Sequence, residues 1–380
     1  MKIIPYGRQF IDKKDIQSVS KTLKKDKITT GSEIINFERK IKHYLKCKYS
    51  IVCNSGTSAL YLALSGIGLK KNDNVIMPSI NFIASYNVLK LLGCNIFLTD
   101  VDQLNGQMTP NHVIECISKF KIKKVSAIIL MYNGGYPNNI KEFYKLKKKY
   151  NCFIVEDACH ALGAEYQYKK KYMKIGSCKH SDVATFSLHP LKSITTGEGG
   201  IVTTNSRKIN YKIEKIRSLG IIKNKKKHWD YNVGFHGLNF RLNEFQSSLG
   251  ISQLKKIKSF LRYRKKIYEF YYQNLKKISK IDLPLKEKQT KPSYHLFIIN
   301  LKNSNLKYKE KFLNYMIKKG IMIQFHYIPI FKFKIFKGKF IGKNAKKYYE
   351  SGLSLPIYYG LKYREQKYIL KQIKKFFKIK

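Results

Sequence analysis

The chain has 380 residues, 43% of them hydrophobic, and its 75 Lys and Arg outnumber 24 Asp and Glu, for a formal net charge of +51. That apolar content excludes a disordered chain, and because single cores stop growing near ~250 to 300 residues, the length predicts one large core plus a smaller one. The charge alone would suit a polyanion binder. The basic residues, however, are mostly Lys, run the whole length and accompany an excess of Ile, Asn, Tyr and Phe, all with AT-rich codons. Compositional bias accounts for that set, and no specific nucleic-acid partner is expected.

The opening "MKIIPYGRQF" has no apolar h-region, and no stretch approaches the ~18 apolar residues of a membrane span. The seven cysteines (Cys47, Cys53, Cys94, Cys116, Cys152, Cys159, Cys178) are odd in number and show neither a CxxC pair nor any other metal spacing. These features predict a cytoplasmic protein with reduced thiols, no membrane association and no metal.

From about residue 50 to 205, short apolar runs alternate with helical patterns. "SIVC" leads to "TSALYLALSGIG", "NVIMP" to "NFIASYNVLKLLG", "NIFLTDV" to a helix near 110 to 120, and "VSAIILMY" to "IKEFYKLKKKY". "CFIVED" and "SDVATFSL" continue the series. Continuous apolar strands separated by helices predict a mostly parallel sheet covered on both faces, with ligands at the carboxyl ends of the strands. After "RLNEFQSSLGISQLKKI" the pattern becomes one long helix reaching about Leu275. A Pro-containing connector, a strand "YHLFIIN", a helix near 307 to 319, a strand "IMIQFHY" and a helix near 363 to 378 then predict a smaller α/β domain. Lysine clusters such as "IKNKKKH" read as solvated loops.

Four stretches follow predicted strands and could carry chemistry. "CNSGTSAL" places hydroxyls and a glycine at a helix start, which is an anion site or an ordinary N-cap. "PSINFIAS" puts Phe82 at a strand-to-helix turn, where it could stack on a flat ligand or pack in the core. "FIVEDACHALGAEY" ends a buried strand with Glu156 and Asp157, then His160; a carboxylate there needs a partner, whereas a capping Asp and a structural His are the bland alternatives. "FSLHPLKSITTGEGG" sets Lys192 among small residues, where a sheltered amine can act as a nucleophile toward a carbonyl, although a plain loop lysine reads the same.

Taken together, a phosphate cradle, a flat aromatic, a buried carboxylate and a sheltered lysine are the parts that hold pyridoxal phosphate. With "TTGSEIINFE", "NSGTSAL", "EDACHALGAEY", "FSLHPLKSITTGEGG", "LNFRLNEFQSSLGISQL", "SYHLFII" and "GIMIQFHYIPI", the chain resembles the DegT/DnrJ/EryC1/StrS family of sugar aminotransferases over nearly its whole length. The resemblance implies an α/β fold of fold-type I, with a mostly parallel seven-stranded sheet between helices and a smaller C-terminal α/β domain. It divides the chain into an N-terminal segment 1–25 packing with the small domain, a large cofactor-binding domain 26–245 and a small domain 246–380.

Carried over residue by residue, the resemblance makes Lys192 the lysine that bonds pyridoxal 5'-phosphate and Asp157 the partner of its pyridine nitrogen. His160 approaches the phenolic oxygen and Phe82 stacks on the ring. Gly56, Thr57 and Ser187 hold the phosphate, with Asn239 reaching it from a neighbouring subunit, so a homodimer with shared active sites is implied. His326 and Tyr327 could contact the substrate or pack against the large domain. The implied reaction moves an amino group from glutamate to C4 of a nucleotide-linked 4-keto-6-deoxy sugar. The branch most similar in "LNFRLNEFQSSLGISQLKK" and "GIMIQFHYIPIFKFKIF" uses a UDP-linked N-acetylated L-sugar in pseudaminic acid synthesis. Acceptors of the 4-amino-arabinose, perosamine or bacillosamine type are the alternatives, because Tyr132 and Leu219 stand where many relatives carry His. A dehydratase would have His in place of Lys192, and a cofactor-binding regulator would not need the full residue set.

Overall fold

The computed structural model describes residues 3–379 except 225, 228 and 285–288, so Lys225 and His228 of the "IKNKKKH" cluster lie outside the described residues. A backbone segment around Ile4 and Tyr6 leads to α1 (Lys13–Leu23), opened by a reciprocal capping box between Asp12 and Asp15, and to α2 (Ser32–Leu45). Strands and helices then alternate: β1 (Tyr49–Cys53), α3 (Gly56–Gly66), β2 (Asn74–Pro78), α4 (Ile83–Leu91), β3 (Asn95–Thr99), α5 (Pro110–Lys119), β4 (Ala127–Met131), α6 (Ile140–Tyr150) and β5 (Phe153–Asp157). A hairpin of β6 (Glu165–Tyr168) and β7 (Lys171–Lys174) precedes β8 (Val183–Ser187), β9 (Gly200–Thr204), α7 (Arg207–Arg217) and a second hairpin, β10 (Ile221–Lys223) and β11 (Tyr231–Val233). Then come α8 (Glu244–Leu275), β12 (Ile281–Asp282), β13 (Thr290–Lys291), β14 (Phe297–Leu301), α9 (Leu306–Lys318), β15 (Lys339–Phe340), α10 (Lys343–Ser351), β16 (Gly352–Leu355) and α11 (Tyr363–Phe376).

The main sheet has the order β1-β9-β8-β5-β4-β2-β3-β15. Only β9 runs against its neighbours; every other strand points the same way. The strand period of two sends alternate residues to opposite faces, as the packing of β4 illustrates. Ile128 and Leu130 enter the core beneath α2, α5, α6 and α8, while Ala127 and Ile129 enter the core beneath α3, α4 and α7. Both faces are therefore apolar, which is why these strands read as unbroken hydrophobic runs. The expected seven strands become eight because β15 adds itself beside β3 through two residues, too short a piece to carry a periodic signal.

The two faces of the main sheet together make the first core; a second core gathers Ile267, Tyr268, Tyr271 and Leu275 of α8 with β14, β16, α9 and α11 around the small sheet β12-β14-β16. The same helix buries Leu254, Ile257 and Phe260 in the first core. The expected boundary at 245/246 thus meets one 32-residue helix, about 48 Å long at 1.5 Å per residue, that serves both cores. At the chain start, Ile4 N–H donates to Gly320 O (2.8 Å), Met322 N–H to Ile4 O (2.9 Å) and Ile357 N–H to Tyr6 O (3.2 Å). The segment "IMIQFHY" is not the strand the sequence predicts: Ile321 and Gln324 make only isolated bridges, with Ile4 and Ser354. Its alternating pattern arises because Ile321 and Ile323 face the second core, while the following His326 and Tyr327 leave it for the cavity described next. No helix among the described residues is long and apolar enough to cross a membrane.

Candidate active site

A cavity of about 380 Å³ opens at the carboxyl ends of β2, β4, β5 and β8. The last two residues of β5 leave the sheet on opposite faces. Glu156 points into the core, accepting from Tyr132 Oη at 2.9 Å and Gly176 N–H at 3.0 Å. Burial pushes its carboxyl up to about 7, against the pull of those hydrogen bonds. Asp157 points into the cavity. Its Oδ2 accepts from Ser85 Oγ at 2.9 Å and Asn81 Nδ2 at 3.4 Å, and its Oδ1 from Cys159 N–H at 3.4 Å, so the carboxylate is buried yet oriented.

Beyond β1, Ser55 caps α3 by accepting from Ser58 N–H at 3.0 Å, which leaves the first-turn amides of Gly56 and Thr57 without intrahelical partners. Ser187, the last residue of β8, stands against this turn. A Cβ on Gly56 would lie 2.9 Å from the Cβ of Ser187, so glycine is what lets helix and strand end approach. Free amides, the positive helix end and two hydroxyls face the same cavity and form a cradle for a phosphate.

The loop after β8 folds back on itself. Leu188 N–H donates to Gly199 O (2.8 Å), Thr195 Oγ1 to Leu188 O (2.9 Å) and Lys192 N–H to His189 O (2.9 Å). Lys192 lines the cavity, and its Nζ has no ion pair or hydrogen bond among the described residues. Burial lowers its pKa, with Arg264 acting in the same direction and Cys159 and Asp157 opposing. Such an amine is more readily neutral, and so more nucleophilic, than a surface lysine.

The facing wall is aromatic and polar. Gly134 N–H donates to His160 Nδ1 at 3.3 Å, and His160 Nε2 meets Tyr327 Oη at 2.9 Å. His326 places Nδ1 3.0 Å from Ser354 Oγ and its ring 5.7 Å from that of Tyr6. Burial, with the Lys192 charge adding to it, holds His160 well below the usual imidazole range and brings His326 down to about 3. Phe82, the N-cap residue of α4, keeps 55% of its surface exposed and sets its ring 5.8 Å from Tyr327.

Residues 9–374 match the model of the DegT/DnrJ/EryC1/StrS aminotransferase family. The chain belongs to this family. It is 33% identical over 371 residues, 97% of this chain and 96% of the relative, to a UDP-4-amino-4,6-dideoxy-N-acetyl-beta-L-altrosamine transaminase of Campylobacter jejuni strain 81-176. Among solved structures, Helicobacter pylori PseC, an aminotransferase involved in the biosynthesis of pseudoaminic acid, superposes with a TM-score of 0.91 at 30% identity, covering 99% of this chain and 100% of that one. The PMP-form of the sugar aminotransferase Spr1654 from Streptococcus pneumoniae gives 0.89 at 25% identity over 98% of both chains. The family fold is that of the fold-type I aminotransferases, as the sequence predicts.

Nine of the residues singled out in the sequence (Gly56, Thr57, Phe82, Asp157, His160, Ser187, Lys192, His326 and Tyr327) line this one cavity. Asn239 does not; it is exposed outside the cavity of its own chain, its Oδ1 accepting from Arg241 N–H at 3.4 Å. The cavity also holds Tyr6, Asn81 and His295, which sequence reasoning missed, and Ser85 stands behind Asp157. A signal for Ser85 existed: Asn81 and Ser85 are four apart at the start of α4, so both reach the same neighbour, and Asn81 Nδ2 bonds Ser85 Oγ at 3.2 Å. Of the two departures from the family pattern, Tyr132 has become the partner of Glu156, while Leu219 lies exposed at φ +65° before the second hairpin.

Proposed function

We propose that the chain is a pyridoxal-phosphate-dependent transaminase that moves an amino group from glutamate to C4 of a UDP-linked, N-acetylated 4-keto-6-deoxy L-sugar. The observation that carries this reading is the convergence of Lys192 and Asp157 on one cavity whose floor is the Gly56–Ser187 cradle. The fit to the cofactor rests on chemistry: a cradle of amides and hydroxyls suits its phosphate, the oriented Asp157 carboxylate suits a protonated ring nitrogen, and Phe82 offers a face for stacking. When bound, the cofactor supplies an electron sink for the carbon that loses its proton.

The residues of the chain divide the remaining work. Nζ of Lys192, poised toward the neutral amine, takes the proton from the Cα of the amino donor and later returns one to C4 of the sugar. Asp157, oriented by Ser85 and Asn81, would meet the ring nitrogen of the cofactor. His160, His326 and Tyr327 form one wall of the cavity; the His160 N–H is spent on Tyr327, which leaves the Tyr327 hydroxyl and the His326 ring as uncharged donors toward the substrates.

The acceptor is assigned from the names of the relatives and from the shared length of the chains. We further propose a homodimer in which Asn239 of the partner subunit completes the phosphate site. Support comes from the exposure of Asn239 and of the apolar residues Leu219, Tyr231, Val233 and Leu238 around the same hairpin. Seven free cysteines suit a reducing compartment, hence the cytoplasm. The test is to add pyridoxal phosphate, look for a visible absorbance band that Lys192→Ala abolishes, and offer glutamate with UDP-, GDP- and dTDP-linked 4-keto sugars under mass detection. Absence of the band, or amination only of GDP- or dTDP-linked sugars, contradicts the respective half of the proposal.

A further inference from the structure

A transaminase must bring the carboxylate of its amino donor close to the reacting lysine, in a site largely closed to water. A carboxylate moved there requires hydrogen-bond donors or a cation. Among the described residues, the only Lys or Arg lining the cavity is Lys192, and that group is committed to bonding and proton transfer. The donor carboxylate must therefore be met by something else.

Four imidazoles line the cavity, and three are already engaged. His160 uses both nitrogens, on Gly134 N–H and Tyr327 Oη, and His326 uses Nδ1 on Ser354 Oγ. His189 accepts from Leu191 N–H at Nδ1, 3.4 Å away, within the loop that carries Lys192. His295 is different. It is 6% exposed, lines the cavity with its ring 4.3 Å from that of His160, and its Nδ1 has no hydrogen-bond partner among the described residues. That Nδ1 is sealed from solvent, so the ring nitrogen left to face the cavity is Nε2, which also has no hydrogen bond among the described residues; His295 is thus the one of the four imidazoles whose ring makes none.

The backbone of His295 is fixed at both ends. Its N–H donates to Gly134 O at 2.9 Å, and its carbonyl accepts from Nη1 of Arg264 at 3.2 Å. Arg264, on α8, is 3% exposed; the same Nη1 also donates to Ile357 O at 2.7 Å, and the guanidinium has no ion pair among the described residues. Burial lowers its pKa only to about 10, so it stays charged at neutral pH. A buried cation with no countercharge is costly by itself and favours an anion arriving beside it.

Building on the transaminase reading above, we propose that His295, backed by the Arg264 guanidinium, binds a carboxylate of the amino donor. The imidazole N–H donates to a carboxylate oxygen, and the guanidinium behind its carbonyl supplies the field. This division leaves His326 and Tyr327 for the sugar nucleotide.

The test uses the holoenzyme and glutarate, a dicarboxylate with no amine to transfer, titrated by calorimetry, with UDP titration and cofactor retention measured in parallel. His295→Leu is expected to weaken glutarate roughly ten- to a hundredfold, the range for hydrogen bonds to charged groups. His295→Gln recovers part of that loss. UDP and cofactor affinities stay within about twofold of the unmodified protein in both variants, and in steady state KM for glutamate rises while KM for the sugar does not. Unchanged glutarate affinity in His295→Leu overturns the inference, as does a parallel loss of UDP or cofactor affinity, or an unmodified protein with no saturable glutarate binding. Arg264→Met is expected to weaken glutarate in the same way; if that variant does not fold, the two His295 variants decide alone. Failure of the unmodified protein to bind pyridoxal phosphate through Lys192 would sink the transaminase reading itself, which is a separate outcome.

Discussion

His160 Nε2 and Tyr327 Oη meet at 2.9 Å, joining the end of β5 to the segment that leaves the second core. Because Gly134 N–H donates to Nδ1, a neutral His160 carries its proton on Nε2, and Tyr327 is the acceptor. Tyr327→Phe removes that acceptor. We expect about 1 kcal/mol of lost stability and a lower kcat/KM, with the cofactor band retained. Denaturant melts and steady-state kinetics check both; a variant that loses the cofactor instead would give Tyr327 a different role.

Ser85→Ala isolates the support of Asp157 from Asp157 itself. Removing the 2.9 Å hydrogen bond to Oδ2 should weaken cofactor retention by roughly tenfold, since hydrogen bonds to charged groups contribute about 1.5 to 3 kcal/mol. Asp157→Asn, which removes the charge, should reduce turnover far more. Equal effects from the two variants would mean that Ser85 acts independently of Asp157.

Gly56→Ala should spare the helix and damage the cradle. Alanine suits a helix better than glycine, but its Cβ would press on the side chain of Ser187. Melting temperature is expected to hold while pyridoxal phosphate affinity drops, read from a titration of the absorbance band. Retained affinity would remove the cradle from the phosphate site.

Stability should fall in mild acid. His160 and His295 are held well below the usual imidazole value of 6.5, and His326 is brought down to about 3, mainly by burial. Each is neutral in the fold, whereas the unfolded chain takes up protons once the pH drops below about 6.5. The contribution of these groups is complete above that pH and is lost as the pH falls toward the folded values. Glu156 works in the opposite sense: raised from 4.5 to about 7, it favours the fold below 4.5 and loses that contribution as pH rises through 7. Burial also lowers His112 and His180 and raises Glu38, so five imidazoles stand against two carboxyls and the net is a loss on acidification, about 1.4 kcal/mol for each tenfold difference in proton affinity between the folded and unfolded chain. A melting temperature unchanged between pH 7 and 5 at fixed ionic strength would contradict this.

Mixing two inactive variants tests the shared site. If Asn239 of the partner subunit serves the Lys192 site of its neighbour, a hybrid of Lys192→Ala and Asn239→Ala chains holds one intact site. Activity should return after mixing under dissociating conditions. No recovery, with hybrids confirmed by mass, places Asn239 in its own chain's site or outside both.

The parallel strands were legible in the sequence because burial on both faces makes them short unbroken apolar runs, and the site was legible because Gly56, Asp157 and Lys192 each follow such a run. β15 and β13 were not, since a two-residue strand has no period. The "IMIQFHY" stretch misled because alternation records burial, and one side of a connecting segment can be buried without a ladder of partners. His295 and Arg264 escaped notice for another reason. They are 31 residues apart and are joined by a single carbonyl, a relationship that no local pattern encodes.

The long helix α8 has a mechanical meaning. At one end the Glu244 carboxylate accepts from Gly31, Glu33 and Ile34 N–H at 3.0, 2.8 and 3.1 Å, closing the start of α2; at the other, Leu275 lies in the second core. One rigid rod thus ties together both ends of the molecule. Melting of either core loosens the seat of the other, so the chain should unfold in one cooperative step and not in two.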